Sequence, residues 1–348
     1  MNKKPLLSPQ KIKTFLPLKK ENARFIENSR TTCNDILTKN DPRLALIAGP
    51  CSIHDPNAAW EYTEKWKKLS QETNHFFMIF RAFHEKPRTK IGWKGLVYDP
   101  YLDGSNEIEM GLILTRQNLL KLTEMEIPIA TEFVDPMIAP YIEDLISWGF
   151  IGARTSSSQP HRQFASSLNF PVGFKNNVDG NLEVALHGVS SAQVSHTFLS
   201  IDEEGRACKQ KSEGNPFAHP VLRGSNYGDT NFDPFSIQIA LEKIHAMNLE
   251  SRLIVDCSHG NCQRHYEKQM DSFQSVIQQI QEGNFSIRGL MLESHLQGGN
   301  QTLGEDPSSL AYGTSITDPC LGWQQTEEII QWAEEILLSS RSISGVQN

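Results

Sequence analysis

Eight short apolar runs, each followed by a polar and chemically competent residue, constrain the fold of this chain more than anything else in it. They are Leu44 to Ile47, Phe76 to Phe80, Pro128 to Thr131, Phe150 to Ala153, Pro171 to Phe174, Pro220 to Leu222, Leu253 to Val255 and Ile287 to Leu292. Runs this short and this continuous suit strands buried on both faces. Helical patterns lie between them, three opening on Asp-Pro: Asp55-Pro56, Asp135-Pro136 and Asp233-Pro234. An Asp at the N-cap accepts orphan amides, and a Pro at the first helical position has no amide to orphan. After Pro136 the residues Ile138, Tyr141, Leu145 and Trp148 form one stripe, and after Pro234 so do Ile237, Leu241, Ile244 and Met247. Strands alternating with amphipathic helices predict an α/β fold, a (β/α)8 or TIM barrel, with a doubly wound open sheet as the alternative.

Two spacings are too long for bare units, Phe83 to Ser105 and Asn176 to His219. In the second, Thr197 to Ile201 and Ala207 to Lys211 read as an added hairpin. Ahead of the first strand, Leu7-Ser8-Pro9 reads as a helix start and Asn22 to Leu37 as helical, with Phe25, Ile26, Ile36 and Leu37 free to pack. The expected organisation is an N-terminal helical extension over residues 1–40 and a catalytic barrel over 41–348, with the hairpin near 196–214.

A barrel brings the C-terminal ends of all its strands to one mouth. The residues following the eight runs are Cys51, Arg81, Glu132, Arg154, Lys175, Arg223, His259 and Glu293. Singly, each has a plain explanation: Arg154 pairs Glu132, His259 is a satisfied core histidine, Lys175 caps the barrel. Together they need a ligand, because charges gathered at one mouth are costly unless something compensates them. The stretch Arg81 to Gly95 has five cations in fifteen residues of a chain whose net charge is −8. Within it Lys86-Pro87-Arg88-Thr89 combines an ammonium, a guanidinium, a hydroxyl and a stiffened backbone, a set suited to a phosphate dianion. With Arg81, Arg154, Lys175 and Arg223, the cations exceed what one phosphate needs, which implies two anionic groups. Cys51, His259 and Glu293, with Asp318 from the loop after the last strand, offer a mixed S/N/O site for a divalent transition metal.

The acidic balance argues against a nucleic-acid or membrane surface, since both partners want a broad basic field. The first five residues lack a signal peptide's apolar core, and no apolar run approaches the roughly 18 residues of a membrane span, so a cytoplasmic protein is expected. Six cysteines without dense spacing read as thiols. Cys257 and Cys262 around His259 lack the second pair that a small zinc site would need.

These residues carry a resemblance from about Asp41 to Trp323. The motifs are Gly49-Pro50-Cys51-Ser52-Ile53-His54-Asp55, Lys86-Pro87-Arg88-Thr89 with Gly92-Trp93-Lys94-Gly95, Ile151-Gly152-Ala153-Arg154-Thr155, Pro171-Val172-Gly173-Phe174-Lys175-Asn176, Asp256-Cys257-Ser258-His259, Glu293-Ser294 and Ser315-Ile316-Thr317-Asp318. The chain resembles the class I 3-deoxy-D-arabino-heptulosonate 7-phosphate (DAHP) synthases, which begin the shikimate pathway. The resemblance implies phosphoenolpyruvate under Arg81, Arg154, Lys175 and Arg223, with the Ala153 backbone and Glu132 nearby. Erythrose 4-phosphate would lie above it, its phosphate on Arg88 and Thr89 and its aldehyde toward Lys86 and the metal. One Mn, Fe, Co or Zn ion per subunit would sit on Cys51, His259, Glu293 and Asp318. The enol carbon would attack the aldehyde, water would add at the neighbouring carbon and phosphate would leave, with Lys86 as proton donor to the new hydroxyl.

The resemblance further implies a homo-oligomer, dimer or tetramer, in which extension and hairpin form a pocket for a feedback-inhibiting aromatic amino acid. Leu7-Ser8-Pro9 and Phe15-Leu16-Pro17-Leu18 look most like the tyrosine-regulated branch, whereas Asn169 stands where a pocket-lining Ser is usual. Further departures are His84 for an aromatic Phe, Ser156-Ser157 for Thr-Glu, Asn177-Val178 for Gly-Thr, and the segment Ser225 to Asn231. Rival readings are a synthase using arabinose 5-phosphate, whose aldose loop carries an Asn-containing insertion absent here, a specialised relative using a modified tetrose phosphate, and a non-catalytic sugar-phosphate-sensing barrel. The last would have lost a metal ligand or a cation, and this chain has lost neither.

Overall fold

All eight apolar runs become parallel strands, and their continuity has a simple cause: both faces are buried. The strands are β1 (Leu44–Gly49), β2 (Phe76–Arg81), β3 (Ile129–Glu132), β4 (Trp148–Ile151), β5 (Val172–Lys175), β8 (His219–Leu222), β9 (Leu253–Asp256) and β10 (Ile287–Glu293). In the computed structural model, which describes residues 3–344, they close in chain order into a barrel, β10 pairing back onto β1. The open sheet is excluded. Ala45, Ile47, Ile79, Trp148, Phe150, Val221, Ile254 and Met291 fill the barrel. Their neighbours Leu44, Leu46, Met78, Phe80, Val255 and Leu292 face outward into the layer under the helices. An alternation that is apolar on both sides leaves polar residues chiefly at the strand ends, such as Arg81, Lys175, Asp256 and Glu293.

Those helices include α3 (Pro56–Ser70), α4 (Ile108–Glu124), α6 (Gln159–Ala165), α7 (Glu183–Ala192), α8 (Pro234–Ala246), α9 (Gln269–Gln281) and α10 (Trp323–Ser344). Asp55 and Asp233 cap α3 and α8 as their Asp-Pro starts predict. The segment after Asp135-Pro136 differs from expectation. It is a broken run of two 3-10 turns around the single-turn α5 (Ala139–Ile142), and Trp148 lies in β4, two residues ahead of the expected strand start. Trp148 and Phe150 point into the barrel while Gly149 passes under the rings of Phe133 and Phe170, where a β-carbon would collide. A tryptophan three residues past Leu145 continues a helical stripe on paper, and packing decides against it.

The extension has two helices, α1 (Pro9–Phe15) and α2 (Lys20–Leu37). Cys33 and Ile36 of α2 join the apolar cluster inside the barrel. Arg288, buried on β10, donates to the carbonyls of Ile36 at 2.7 Å and of Asp41 and Arg43 at 2.9 Å. The end of α2 therefore stoppers the N-terminal end of the barrel. Helix α1 instead meets the hairpin of β6 (Thr197–Ile201) and β7 (Ala207–Lys211): Gln10 N donates to Glu203 O at 2.8 Å, and Lys13 pairs with the Glu203 carboxylate at 2.8 Å. Among the described residues, no helix is long and apolar enough to cross a membrane.

Candidate active site

The C-terminal ends of the strands surround a cavity of about 550 Å³. Arg81, Lys86, Pro87, Arg88, Thr89, Glu132, Ala153, Arg154, Lys175, Arg223, His259, Glu293 and Asp318 all line it. Cys51, fully buried, lies next to Lys86, which reaches its sulfur at 2.6 Å. Arg81, Glu132, Lys175 and Glu293 are the last residues of their strands and Arg223 is the first past β8; Cys51, Arg154 and His259 stand two or three residues further out. Depth sorts the cations. Arg81, Lys175 and Arg223 are buried at the floor, whereas Arg88 and Thr89 are exposed at the rim.

Each floor cation has a fixed partner. Arg81 Nη2 donates to Glu293 Oε1 at 2.6 Å, Nε donates to Pro50 O at 3.2 Å, and the guanidinium stacks on Phe83 at 3.6 Å. Burial works against the Arg81 charge, but Glu293 and Cys51 outweigh it and raise the pKa. Removing one member of a pair this buried strands the other charge, at a cost of about 3–5 kcal/mol. Lys175 Nζ donates to Asp256 Oδ2 at 2.7 Å. Arg223 is aimed by Asn226, whose Oδ1 accepts from Nη2 at 2.9 Å, and by Asn176, whose Oδ1 accepts from the Arg223 amide at 2.8 Å. Arg154 does not pair with Glu132 in the way its plain reading supposed; its Nε donates to Thr89 Oγ1 at 2.8 Å, tying the β4 loop to the rim. Glu132 reaches inward over Gly152, where a β-carbon would strike its carboxylate.

The rim loop from Glu85 to Gly95 folds back on itself. Lys86 N donates to Lys94 O at 2.8 Å, and Gly95, at φ +111°, passes so close to the His84 carbonyl that only glycine fits. Buried Glu85 accepts from the Asp135 amide at 3.2 Å, anchoring the loop to the end of β3. Burial, with Asp135 beside it, pushes the Glu85 carboxyl well above its usual range.

Three of the four expected metal donors come together: one atom each of Cys51, Glu293 and Asp318 lies within 4.8 Å of the others. Lys86 sits among them, 2.6 Å from Cys51 Sγ and 2.8 Å from Asp318 Oδ2. Burial opposes that ammonium, but Asp318 and Cys51 prevail and hold its pKa above the ordinary lysine value, and Lys86 in turn keeps Asp318 well below the carboxylate range. Burial and Glu293 push the Cys51 thiol up. A cation already bridges these donors, and a soft sulfur with two carboxylates is a set that fits a divalent transition metal. His259 stands outside the group of three. Its Nδ1 lies 2.9 Å from Asp256 Oδ2 and its Nε2 3.6 Å from Glu293 Oε1, on a backbone in the left-handed region at φ +56°. A non-glycine residue there is strained, as residues at working sites often are.

Two residues of this site escaped the sequence reading. Asp256 was visible only as part of the Asp-Cys-Ser-His motif, and an acid three positions before a ligand-type histidine was the available signal. Asn226 lies in one of the departures. Asn226 N donates to Val178 O at 2.8 Å, so the unusual segments at 177–178 and 225–231 pack on each other and set the Arg223 geometry jointly. Ser156, a further departure, is buried and donates to Lys175 O at 2.7 Å.

Fold and site together define an α/β-barrel enzyme acting on anionic, phosphate-sized ligands beside a metal-competent donor group. A profile described as the DAHP synthetase I family matches residues 17–331, and the chain belongs to that family. It is 41% identical over 327 residues to the Tyr-sensitive phospho-2-dehydro-3-deoxyheptonate aldolase of Escherichia coli K12, covering 94% of this chain and 91% of that one. To the Trp-sensitive enzyme of the same organism it is 43% identical over 328 residues, covering 94% and 93%. The structure of phospho-2-dehydro-3-deoxyheptonate aldolase from Francisella tularensis SCHU S4 superposes with a TM-score of 0.93 at 39% identity, over 97% of this chain and 98% of that one.

Proposed function

We propose that the mouth condenses phosphoenolpyruvate with D-erythrose 4-phosphate and water to DAHP and phosphate, the first step of the shikimate pathway and so of aromatic amino acid biosynthesis. The observation carrying this reading is the separation of buried floor cations from rim cations within one cavity, with the donor group beside both. Phosphoenolpyruvate binds at the floor on Arg81, Lys175 and Arg223, next to Glu132 and the Ala153 backbone, with the exposed Arg154 closing over it from the rim side, where it is held by Thr89. Erythrose 4-phosphate binds above it, its phosphate on Arg88 and Thr89 after Pro87. Cys51, Glu293, Asp318 and His259 would hold a divalent Mn, Fe, Co or Zn ion, which when bound would supply a Lewis acid for the aldehyde oxygen. The floor cations hold the enol phosphate in place, so that its C3 faces the aldehyde carbon. Lys86 Nζ gives a proton to the oxygen that becomes the new hydroxyl.

We read the extension and hairpin as a regulatory unit of a homo-oligomer, taking an aromatic amino acid. Relatives named Tyr-sensitive and Trp-sensitive support this, as do the direct contact of α1 with the hairpin and the exposed Phe15 and Leu199 beside it. Arg30 Nη1 donates to Asn169 Oδ1 at 3.0 Å, so the departure at 169 is engaged by α2 itself.

Phosphoenolpyruvate consumption measured against a panel of aldose phosphates tests the reading. Erythrose 4-phosphate should turn over and arabinose 5-phosphate should not. Arg88→Ala should chiefly raise KM for the aldose and Arg223→Ala chiefly that for phosphoenolpyruvate, the buried Arg223 contact costing roughly 2–5 kcal/mol in binding and the exposed Arg88 contact less. Turnover of arabinose 5-phosphate alone, or impairment of the same substrate by both variants, defeats the assignment.

A further inference from the structure

Asp256 has no part in the reaction just described, yet it touches both halves of the cavity. It ends β9 with no exposed surface. Its Oδ1 accepts from Ser258 N at 3.0 Å and Ser258 Oγ at 2.5 Å, and that hydroxyl in turn lies 2.7 Å from His259 Nδ1. Its Oδ2 is shared between two residues of different function: Lys175 Nζ at 2.7 Å, and His259 Nδ1 at 2.9 Å. A carboxylate needed only to close the Ser258 turn would use Oδ1 alone.

Sharing one oxygen makes the two bonds interdependent. When an anion draws part of the Lys175 charge away, Oδ2 holds the Nδ1 proton of His259 more strongly. That contact, with Ser258 Oγ 2.7 Å from the same nitrogen, fixes the tautomer with a free lone pair on Nε2, the nitrogen facing Glu293, and makes Nε2 a better donor. In the other direction, a cation on Nε2 sharpens the hold of Oδ2 on Nδ1 and frees Lys175 for the anion.

We propose that Asp256 is a positioning residue that couples the anion site at the cavity floor to the metal-ligating histidine, each ligand tightening the other by the same factor. The coupling rests on the reading that the floor takes phosphoenolpyruvate and that His259 joins the metal site.

Cobalt(II) titration of the metal-free full-length chain, followed by calorimetry and by the cobalt–thiolate absorption of Cys51, tests it with and without saturating phosphoenolpyruvate. In the unaltered protein, phosphoenolpyruvate should tighten cobalt about tenfold. Asp256→Asn should weaken cobalt alone by about 10–100-fold and cut the tightening to under a third of its original factor, leaving direct attraction between anion and ion. Lys175→Met, which frees Oδ2 permanently, should bind cobalt more tightly than the unaltered protein in the absence of any anion. Equal tightening in Asp256→Asn and the unaltered protein overturns the coupling, and so does a cobalt affinity in Asp256→Asn within twofold of the original. If Asp256→Asn does not fold, the Lys175→Met affinity decides, and no gain there defeats the proposal. An unaltered protein that binds cobalt but neither phosphoenolpyruvate nor inorganic phosphate refutes the substrate reading instead, and the cobalt affinities of the two variants then judge the role of Asp256 alone.

Discussion

Lys86 neutralises Asp318 and reaches the Cys51 sulfur, the same two groups a metal ion would claim. Ammonium and metal therefore compete, and Lys86→Met should raise cobalt or manganese affinity by roughly tenfold while abolishing turnover, an outcome calorimetry on the metal-free protein reads directly. Unchanged or weaker metal binding would show that Lys86 props the donors rather than opposing the ion. His84 makes a second residue-level case. It is fully buried, its Nε2 lies 3.1 Å from Asn118 Oδ1, and burial pushes its pKa down to about 4. The folded state holds this proton less readily than the unfolded chain, so stability is intact above pH 6.5 and drains away as pH falls toward 4. His84→Phe should shallow that acid limb by roughly 2–3 kcal/mol between pH 7 and pH 4 in denaturant titrations; parallel curves for the two proteins would exclude the effect. The residue types at the mouth were legible because each follows an apolar run. Their pairing was not: nothing in the chain says that Arg81 turns to Glu293 or Lys175 to Asp256, since those partners lie 212 and 81 residues away.

Among the elements, the strands and the hairpin were the most legible. The hairpin is found at Thr197–Ile201 and Ala207–Lys211 as its turn and spacing imply. Continuous apolar runs survive folding as strands because no alternative packing satisfies both their faces. The segment after Pro136 was less legible, since short 3-10 turns and a helix share the same capping signals, and only Trp148 entering the barrel ends the ambiguity. The rim loop is irregular throughout and owes its shape to Gly95 and to its Glu85 anchor rather than to any periodic pattern. Its composition announced an anion, while its fold came from backbone contacts that composition does not encode.

At the scale of the molecule, the extension divides into two parts with different work. Helix α1 touches the hairpin, whereas α2 sends Cys33 and Ile36 into the barrel and takes three hydrogen bonds from Arg288 at its end and the strand entry. Removing residues 1–18 should leave a folded, active enzyme that has lost any inhibition by Tyr, Phe or Trp. Removing residues 1–38 should also unstopper the barrel, exposing side chains worth about 1.5–3 kcal/mol each and taking from buried Arg288 its Ile36 bond, with a large fall in Tm. Thermal melts and inhibition assays on the two truncations separate these outcomes, and a shorter truncation inhibited as strongly as the intact chain would place the effector elsewhere. Sequence could not apportion this, because Cys33 and Ile36 look like ordinary residues of an amphipathic helix.

With α2 closing one end, the barrel is a vessel with a single opening, and a vessel of that kind has a loading order. Whatever rests on Arg81 and Lys175 must pass Arg88 and Thr89 to get there, and a molecule seated at the rim blocks the way in and out. Excess erythrose 4-phosphate should then slow the reaction by queueing ahead of its partner, and added phosphoenolpyruvate should relieve the delay. Initial-rate measurements across a grid of both concentrations expose the queue, and straight double-reciprocal lines at every aldose concentration would mean that the two molecules do not share one door.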